Sequence, residues 1–128
     1  ITAFDMNTGQ IAWQTVHGDT PDEVKNHPLL EGIDIPRTGR PGRGGVLATS
    51  TLLIAGESGF VTTPYGRGAM MRAYDKATGD EHGAVFMPAP QTGAPMTYMA
   101  DGKQYVVVAV SGPEYGAELL AYALPTQE

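Results

Sequence analysis

Short apolar runs separated by glycine, proline and polar residues make up most of the chain. Two such runs, 46–49 and 52–55, follow each other closely, and two more, 95–99 and 104–110, flank Asp101-Gly102. Asp-Gly between apolar runs is a strong signal for a β-hairpin, because both residues tolerate the positive φ of a type I′ turn. No segment has sustained helical periodicity. The pattern therefore predicts a series of short antiparallel strands.

Further strands are predicted where apolar and polar residues alternate or where apolar residues cluster: at 1–5, 10–14, 70–74 and 81–87. Residues 21–25 predict one short helical turn, because Thr20-Pro21 is typical of a cap followed by proline at the first helical position.

Two unrelated segments of the chain are repeated. Residues 3–9 recur as 73–79 at an offset of 70, and a weaker third copy begins at Ala121, 48 residues after Ala73. Independently, residues 45–49 match 93–97, again at an offset of 48. Two motifs that share one offset indicate a structural repeat of about 48 residues.

Four short strands repeated every 40–50 residues are typical of a β-propeller blade. The sequence therefore predicts an all-β fold, a partial β-propeller with about two four-stranded antiparallel blades. We expect 1–16 to end one blade, 17–44 to be an inserted loop, 45–88 to form one blade and 89–128 the last blade. A small β-sandwich or an open sheet of about nine strands is the alternative.

Composition narrows the functional classes. The chain has 128 residues, enough for one domain, and 17 glycines and 10 prolines, which suit many tight turns. It has no cysteine, which excludes disulfides, thiolate zinc sites and cysteine nucleophiles. A net charge of −6 argues against nucleic acid as a partner. Because a propeller needs at least four blades to close, we expect a fragment of a longer protein.

The repeated turn resembles the blade motif Ala-x-Asp-x-x-Thr-Gly-x-x-x-Trp of dehydrogenases that depend on pyrroloquinoline quinone (PQQ). The first copy matches the motif in full, through Ala3, Asp5, Thr8, Gly9 and Trp13. In that family the tryptophan packs between adjacent blades. The second copy has Gly83 in its place, which predicts a looser contact there.

The C-terminal third carries a more specific resemblance. Pro95-Met96-Thr97-Tyr98 followed by 101–109 resembles the last blade of membrane-type quinoprotein glucose dehydrogenases and related alcohol dehydrogenases. Residues 121–125 resemble their final strand. The resemblance implies the C-terminal part of an eight-bladed quinoprotein propeller, with the remaining blades as its partners.

The same resemblance implies the chemistry of the whole protein. In the family, PQQ lies on the propeller axis with Ca²⁺, and an aspartate acts as base while hydride passes from a sugar or alcohol to the quinone. It also implies a quinone or cytochrome electron acceptor and a periplasmic location. No motif transfers the calcium ligands or the base to this chain. We therefore expect the fragment alone to be inactive, to bind neither PQQ nor Ca²⁺, and to self-associate.

Two segments are candidates for the cofactor site. Gly44 and Gly45 precede a predicted innermost strand, where glycine lets the backbone approach a flat cofactor. Arg43 beside them is interpreted as solvated, although an arginine could pair with a PQQ carboxylate. Glu114 and Tyr115 could line the mouth of the site, with a plain surface turn as the alternative.

The three histidines, His17, His27 and His82, are widely spaced and are interpreted as surface or loop residues. Two other functions stay open. The chain could belong to a non-catalytic PQQ-repeat propeller that acts as an interaction scaffold, or to a sugar-binding β-domain that uses no quinone.

Overall fold

A computed structural model describes residues 1–125, and in them it has ten β-strands, one short α-helix and one 3₁₀ turn. The strands are β1 (Thr2–Phe4), β2 (Ile11–Gln14), β3 (Leu47–Ala48), β4 (Leu52–Gly56), β5 (Val61–Thr63), β6 (Gly66–Asp75), β7 (Glu81–Met87), β8 (Met96–Ala100), β9 (Lys103–Gly112) and β10 (Tyr115–Ala123). The helix α1 spans Asp22–Lys25 and the 3₁₀ turn spans Pro28–Leu30. Within this part of the chain, no helix has the length and apolar character needed to cross a membrane.

The strands form three sheets that follow one another in chain order. We call them the first sheet (β1-β2), the central sheet (β3-β4-β6-β7, with β5 paired to the start of β6) and the last sheet (β8-β9-β10). Every strand pair in them is antiparallel. The prediction of an all-β partial β-propeller is confirmed. The central sheet has the four-strand meander of a blade, whereas the last sheet has three strands in the described residues.

The hairpin of the last sheet forms as the sequence predicts. Asp101 has φ 49° and Gly102 has φ 74°, so both central residues adopt the left-handed conformation that a type I′ turn requires. The turn pairs Ala100 with Lys103 and so sets the register of β8 against β9.

The two copies of the repeated motif form the same kind of turn. The side chain of Asp5 accepts a hydrogen bond from the backbone N–H of Asn7 at 2.8 Å, and Asp75 accepts one from Ala77 at 2.7 Å. These bonds lower the pKa of both carboxyls. A glycine with positive φ ends each turn, at 71° in the first copy and 80° in Gly79.

Trp13 connects the first sheet to the central sheet. A Cβ added at Gly79 would lie 2.5 Å from Cε3 of Trp13, so the indole packs directly against the glycine of the second turn. The indole Nε1 also donates to the carbonyl of Lys76 at 3.1 Å. At Gly83, where the second copy lacks tryptophan, nothing lies within 4 Å of an added Cβ.

The hydrophobic core lies between the central and last sheets. Buried Ile54, Met71 and Met87 of the central sheet pack in one cluster with Val108 and Val110 of the last sheet. The two sheets therefore share one core rather than forming separate units.

Three local features differ from the sequence pattern. The strand β5 and the start of β10, six residues before Ala121, have no clear signal in the sequence. The helix α1 is present, but Pro21 takes the N-cap position without a side-chain bond. The hydroxyl of Thr20, expected to cap the helix, instead accepts a bond from the backbone N–H of Thr38 at 3.0 Å.

Candidate functional site

Loops from the first and central sheets meet at one end of the molecule. Leu47 of β3 pairs with Ile54 of β4, so the segment entering β3 lies beside the residues that leave β4. A cavity of about 730 Å³ opens there, between the end of β2, the glycine-rich residues 39–45 and the end of β4. We call it the loop cavity.

Gly44 and Gly45, predicted from the sequence as cofactor-binding residues, both line the loop cavity. Close packing requires that both positions lack a side chain. A Cβ on Gly44 would collide with the side-chain amide nitrogen of Gln91, and one on Gly45 would lie 2.8 Å from Cβ of Ala94. These glycines therefore let the segment that precedes the last sheet lie close to the entry of β3.

Gln91 fixes the cavity wall on that side. It is buried, with 4% of its surface exposed. Its amide oxygen accepts from the backbone N–H of Gly56 at 2.6 Å, and its amide nitrogen donates to the carbonyl of Gly45 at 2.8 Å. One side chain thus joins the start of β3, the end of β4 and the connection to the last sheet.

His17 forms another part of the wall, and it is buried. Its Nε2 lies 3.2 Å from the carbonyl oxygen of Gly56, and its Nδ1 lies 2.9 Å from the hydroxyl of Tyr74. Because a carbonyl only accepts, Nε2 carries the hydrogen and Nδ1 accepts from the tyrosine. Burial lowers the pKa of His17 and raises the pKa of Tyr74 to about 12, so both groups are neutral near pH 7.

Next to His17, Glu57 is fully buried at the end of the central sheet's second strand. Its Oε1 accepts from Nε and Nη2 of Arg72 at 3.0 and 2.9 Å and from the backbone N–H of Asp19 at 3.0 Å. Its Oε2 accepts from the backbone N–H of Met70 at 3.2 Å. A buried carboxylate with a cationic partner and two backbone donors is well satisfied.

Arg72 extends this pair into a network that joins β7 of the central sheet to the inserted loop. Its Nη1 donates to Glu81 at 2.7 Å, and Arg37 of the inserted loop donates to the other oxygen of Glu81 at 2.8 Å. Asp19 lies 3.4 Å from Nη2 of Arg72. Burial acts to raise the pKa of Glu81, but the two arginines outweigh it and the pKa is lowered. We call Asp19, Arg37, Glu57, Arg72 and Glu81 the Arg72 network.

The network and His17 together hold the inserted loop against the central sheet. Gly39 shows how tight this contact is, since it has φ 66° and an added Cβ would lie 2.5 Å from the carbonyl oxygen of His17. Only glycine fits there without displacement of the loop. The residues that border the loop cavity are therefore positioned by buried contacts rather than by a free surface loop.

Arg40 follows Gly39 and also lines the loop cavity. Its backbone N–H donates to the carbonyl of His17 at 3.0 Å. Its side-chain nitrogens Nε and Nη2 are buried, and neither has a hydrogen-bond partner among the described residues.

Glu114 and Tyr115, the other two predicted site residues, do not border the loop cavity. Glu114 is exposed in the turn between β9 and β10, and the hydroxyl of Tyr115 donates to Glu118 at 2.8 Å. Their neighbour Pro113 borders a second cavity of about 370 Å³, which also contacts Phe60 and Gln91. The structure thus separates the two predicted pairs of site residues.

His17 lies in a loop, as predicted, but it is buried rather than at the surface. Arg40, Gln91 and the Arg72 network were not predicted from the sequence. A usable signal was present for the central ion pair. Glu57 directly follows the apolar run of β4, and Arg72 lies inside the apolar run of β6. Opposite charges that interrupt two adjacent apolar strands indicate a buried pair.

The described residues do not bring metal-binding side chains together into one site. Within residues 1–125, no group of three or more histidine, aspartate or glutamate side chains is arranged to hold a metal ion. The carboxylates nearest the loop cavity are engaged with arginines and backbone N–H groups.

Comparison with known proteins gives a consistent result. The chain is 35% identical over 137 residues to a probable quinate dehydrogenase (quinone) of Xanthomonas campestris pv. juglandis and 35% identical over 130 residues to a quinate/shikimate dehydrogenase (quinone) of Acinetobacter baylyi. It is 31% identical over 133 residues to a quinoprotein glucose dehydrogenase of Gluconobacter oxydans. These matches cover 97–100% of the chain but only 15–16% of the relatives.

The family model described as the β-propeller domain of PQQ glucose/ethanol/alcohol dehydrogenases matches residues 1–106. This range contains both copies of the repeated turn, the central sheet and the loop cavity. Together with the sheets and the relatives, the match shows that the chain belongs to the family of PQQ-dependent dehydrogenases with a β-propeller domain.

Proposed function

We propose that this chain works as the C-terminal part of a longer PQQ-dependent dehydrogenase that oxidises a sugar or alcohol by hydride transfer to the quinone. Family membership supports the reaction class, since relatives carry the names quinate dehydrogenase and glucose dehydrogenase. The chain spans about 15% of their length, which supports a role as one part of a larger propeller.

The observation that carries the proposal is the loop cavity. It lies where the segments before β3 and after β4 meet, and its walls are fixed by buried contacts of His17 and Gln91. A cavity of about 730 Å³ with rigid walls has the dimensions of a cofactor or small-molecule site.

The residues of the cavity fit one side of a planar cofactor that bears carboxylates. Gly44 and Gly45 line the cavity with backbone atoms alone, and Arg40, which also lines it, brings a positive charge close to it. When bound, PQQ supplies the redox chemistry as the hydride acceptor. The residues of this chain would hold and orient such a group and exclude water from it.

The described part of the chain does not provide a set of ligands suited to Ca²⁺. Residues 1–125 hold no cluster of three metal-binding side chains, whereas Ca²⁺ takes six to eight oxygen ligands. The candidates for a general base are also occupied, because His17 is buried with both nitrogens bonded and Glu57 pairs with Arg72. We propose that the calcium ligands and the base are supplied by other blades of the longer protein.

The proposed partners and location come from the family. Besides the remaining blades, we propose a quinone or cytochrome as electron acceptor and a periplasmic location. Fractionation of cells with an antibody to residues 1–128 tests the location. Recovery in the cytoplasmic fraction alone would contradict it.

The function is tested with the complete protein that contains these residues. It is reconstituted with PQQ and Ca²⁺ and assayed by dye reduction with glucose, quinate, glycerol and ethanol. We expect one of these substrates to be oxidised in a PQQ-dependent way. Bound PQQ without turnover of any substrate would favour the non-catalytic scaffold, and failure to bind PQQ would contradict the proposal.

A further inference from the structure

The side chain of Gln91 lies in a break in the ladder between β3 and β4. Leu47 pairs with Ile54 in this antiparallel pair, so the same register would place Gly45 directly opposite Gly56. The pairing of the two strands stops at Leu47, before it reaches Gly45. Gly45 and Gly56 both border the loop cavity, so the cavity lies where the two strands separate.

The amide of Gln91 takes the place of a direct bond between the two strands. Its oxygen accepts from the backbone N–H of Gly56 at 2.6 Å, and its nitrogen donates to the carbonyl of Gly45 at 2.8 Å. An N–H of one strand and the carbonyl of the opposite residue are the groups that an antiparallel ladder joins directly. The amide therefore acts as a spacer that satisfies both groups while it holds them apart.

Glycines on both strands make room for this spacer. An added Cβ on Gly56 would lie 2.6 Å from the amide oxygen of Gln91, and one on Gly44 would collide with the amide nitrogen. A side chain at either position would therefore push the amide out of the break. Gly44, predicted from the sequence as a cofactor-binding residue, thus owes its lack of a side chain to Gln91.

The backbone of Gln91 is fixed on two sides. Its N–H donates to the carbonyl of Glu57 at 2.9 Å, directly after β4, and it forms an isolated β-bridge with Val110 of β9. Among the described residues, Gln91 borders the second cavity and not the loop cavity. Any effect of Gln91 on a ligand in the loop cavity must therefore act through Gly45 and Gly56.

We propose that Gln91 is a positioning residue, which keeps β3 and β4 apart at Gly45 and Gly56 and so keeps the loop cavity open for its ligand. The inference rests on the proposed function, because it deepens the assignment of this cavity as the cofactor site. Without the spacer, the N–H of Gly56 bonds directly to the carbonyl of Gly45. The ladder then extends by one pair, and the cavity becomes narrower.

The test compares the complete protein with three single variants. Gln91→Ala removes the spacer, whereas Gln91→Met keeps a side chain of similar length that cannot form the two hydrogen bonds. Gln104→Met is the matched control, because Gln104 is an exposed glutamine of β9 whose amide donates to Thr97 at 3.0 Å. For each protein we measure hydrogen exchange at the N–H of Gly56 without PQQ, PQQ affinity by absorbance titration well below the melting temperature, and the melting temperature itself.

The two Gln91 variants should differ in a characteristic way. In Gln91→Ala, PQQ affinity falls by about tenfold or more, while Gly56 stays protected from exchange because a direct bond to Gly45 replaces the bond to the amide. In Gln91→Met, exchange at Gly56 becomes faster because its N–H has lost its acceptor, but PQQ affinity falls less because the strands stay apart. Gln104→Met should match wild type in both measurements.

Two results overturn the proposal. Unchanged PQQ affinity in both Gln91 variants, even with a lower melting temperature, would make Gln91 a purely structural residue. Faster exchange at Gly56 in Gln91→Ala would show that the strands do not pair once the amide is removed. Failure of the proposed function is seen separately, since wild-type protein would then bind no PQQ while exchange at Gly56 still tests whether Gln91 separates the strands.

Discussion

At the scale of single residues, the buried charges near the loop cavity divide into two kinds. Glu57 and Arg72 have partners from three elements, so their burial is compensated. Arg40 has no such compensation. Charged groups that are satisfied internally stabilise the position of the wall, whereas buried donors without a partner lower the stability of the folded state.

Replacing Arg72 tests the first kind. Arg72→Met leaves the fully buried Glu57 without its cationic partner, so we expect the free energy of unfolding to fall by about 3–5 kcal/mol. Urea denaturation followed by circular dichroism measures the loss. The double variant Arg72→Met/Glu57→Gln should recover part of it.

The control for this prediction is Arg67→Met. Arg67 is 64% exposed and lies 4.0 Å from its carboxylate partner, so its removal should cost less than about 1 kcal/mol. Equal losses for Arg67 and Arg72 would mean that the buried network contributes nothing special to stability.

His17 gives a prediction about pH. Burial lowers its pKa in the folded protein below the ordinary value of 6.5, despite the hydrogen bond to Gly56. The unfolded chain therefore binds the proton more readily, and stability is lost as the pH falls from 6.5 through the lower folded-state pKa. We expect the melting temperature to decrease over this interval, as measured by thermal denaturation at several pH values.

The variant His17→Gln removes this titration. It should be less stable than wild type at pH 7 but should lose the pH dependence just below 6.5. The exposed His82, changed to glutamine, is the control and should keep the wild-type slope. A slope that persists in His17→Gln would assign the titration to another group.

At the scale of elements, turns determine how the strands pair. Gly102 has φ 74° and nothing lies within 4 Å of an added Cβ, so Gly102→Ala is penalised by backbone conformation alone. We expect a loss of about 1–2 kcal/mol in unfolding free energy. Gly83→Ala, also in open space but without positive φ, should be neutral or slightly stabilising. Equal changes in unfolding free energy for the two variants would contradict the assignment of a type I′ turn at Asp101-Gly102.

Gly79 tests the contact between the first and central sheets. Gly79→Ala introduces a Cβ against the indole of Trp13 at a position with φ 80°, so it should cost more than Gly102→Ala. Trp13 is the single tryptophan of the chain, and its fluorescence reports the displacement directly. A red-shifted emission is expected, whereas unchanged emission would show that the indole does not depend on this glycine.

Many of the strands and turns could be predicted from the sequence, because residues only a few positions apart determine them. The strand 81–87 and the Asp101-Gly102 turn form as expected, since alternation and turn residues act over a few positions. The strand β5 has only three residues and is stabilised by pairing with the start of β6, which no local pattern shows. Its existence depends on the longer strand beside it.

The candidate site was only partly predictable. Gly44 and Gly45 stand out as a glycine pair before an apolar strand, and they do border the loop cavity. His17 contacts Tyr74, 57 residues away in the chain, and Gln91 contacts Gly45 at a separation of 46. Such contacts depend on how the sheets and the inserted loop pack, so a single sequence does not reveal them.

At the scale of the whole molecule, adjacent sheets share their packing surfaces. The cluster of Ile54, Met71 and Val108 belongs to two sheets at once, and Trp13 links a third. Among residues 1–125, β10 pairs with β9 alone, which leaves its other side available to another strand. Edge strands of this kind favour association with further chain.

We therefore expect the 128-residue chain by itself to self-associate. Leu119 on β10 is 75% exposed, and Leu119→Lys should reduce association because a charged side chain disfavours edge pairing. Size-exclusion chromatography with light scattering measures the effect. Met6→Lys, at an even more exposed position in a turn, is the control. A wild-type chain that is strictly monomeric would contradict the prediction.

The side chain of Gln91 has a consequence for motion. Its amide holds Gly56 through the oxygen and Gly45 through the nitrogen, so rotating it satisfies neither partner. Any hinge-like rotation between the central and last sheets must therefore rupture both bonds together. Since Gly45 and Gly56 both border the loop cavity, its width at this point should stay constant for as long as both bonds hold.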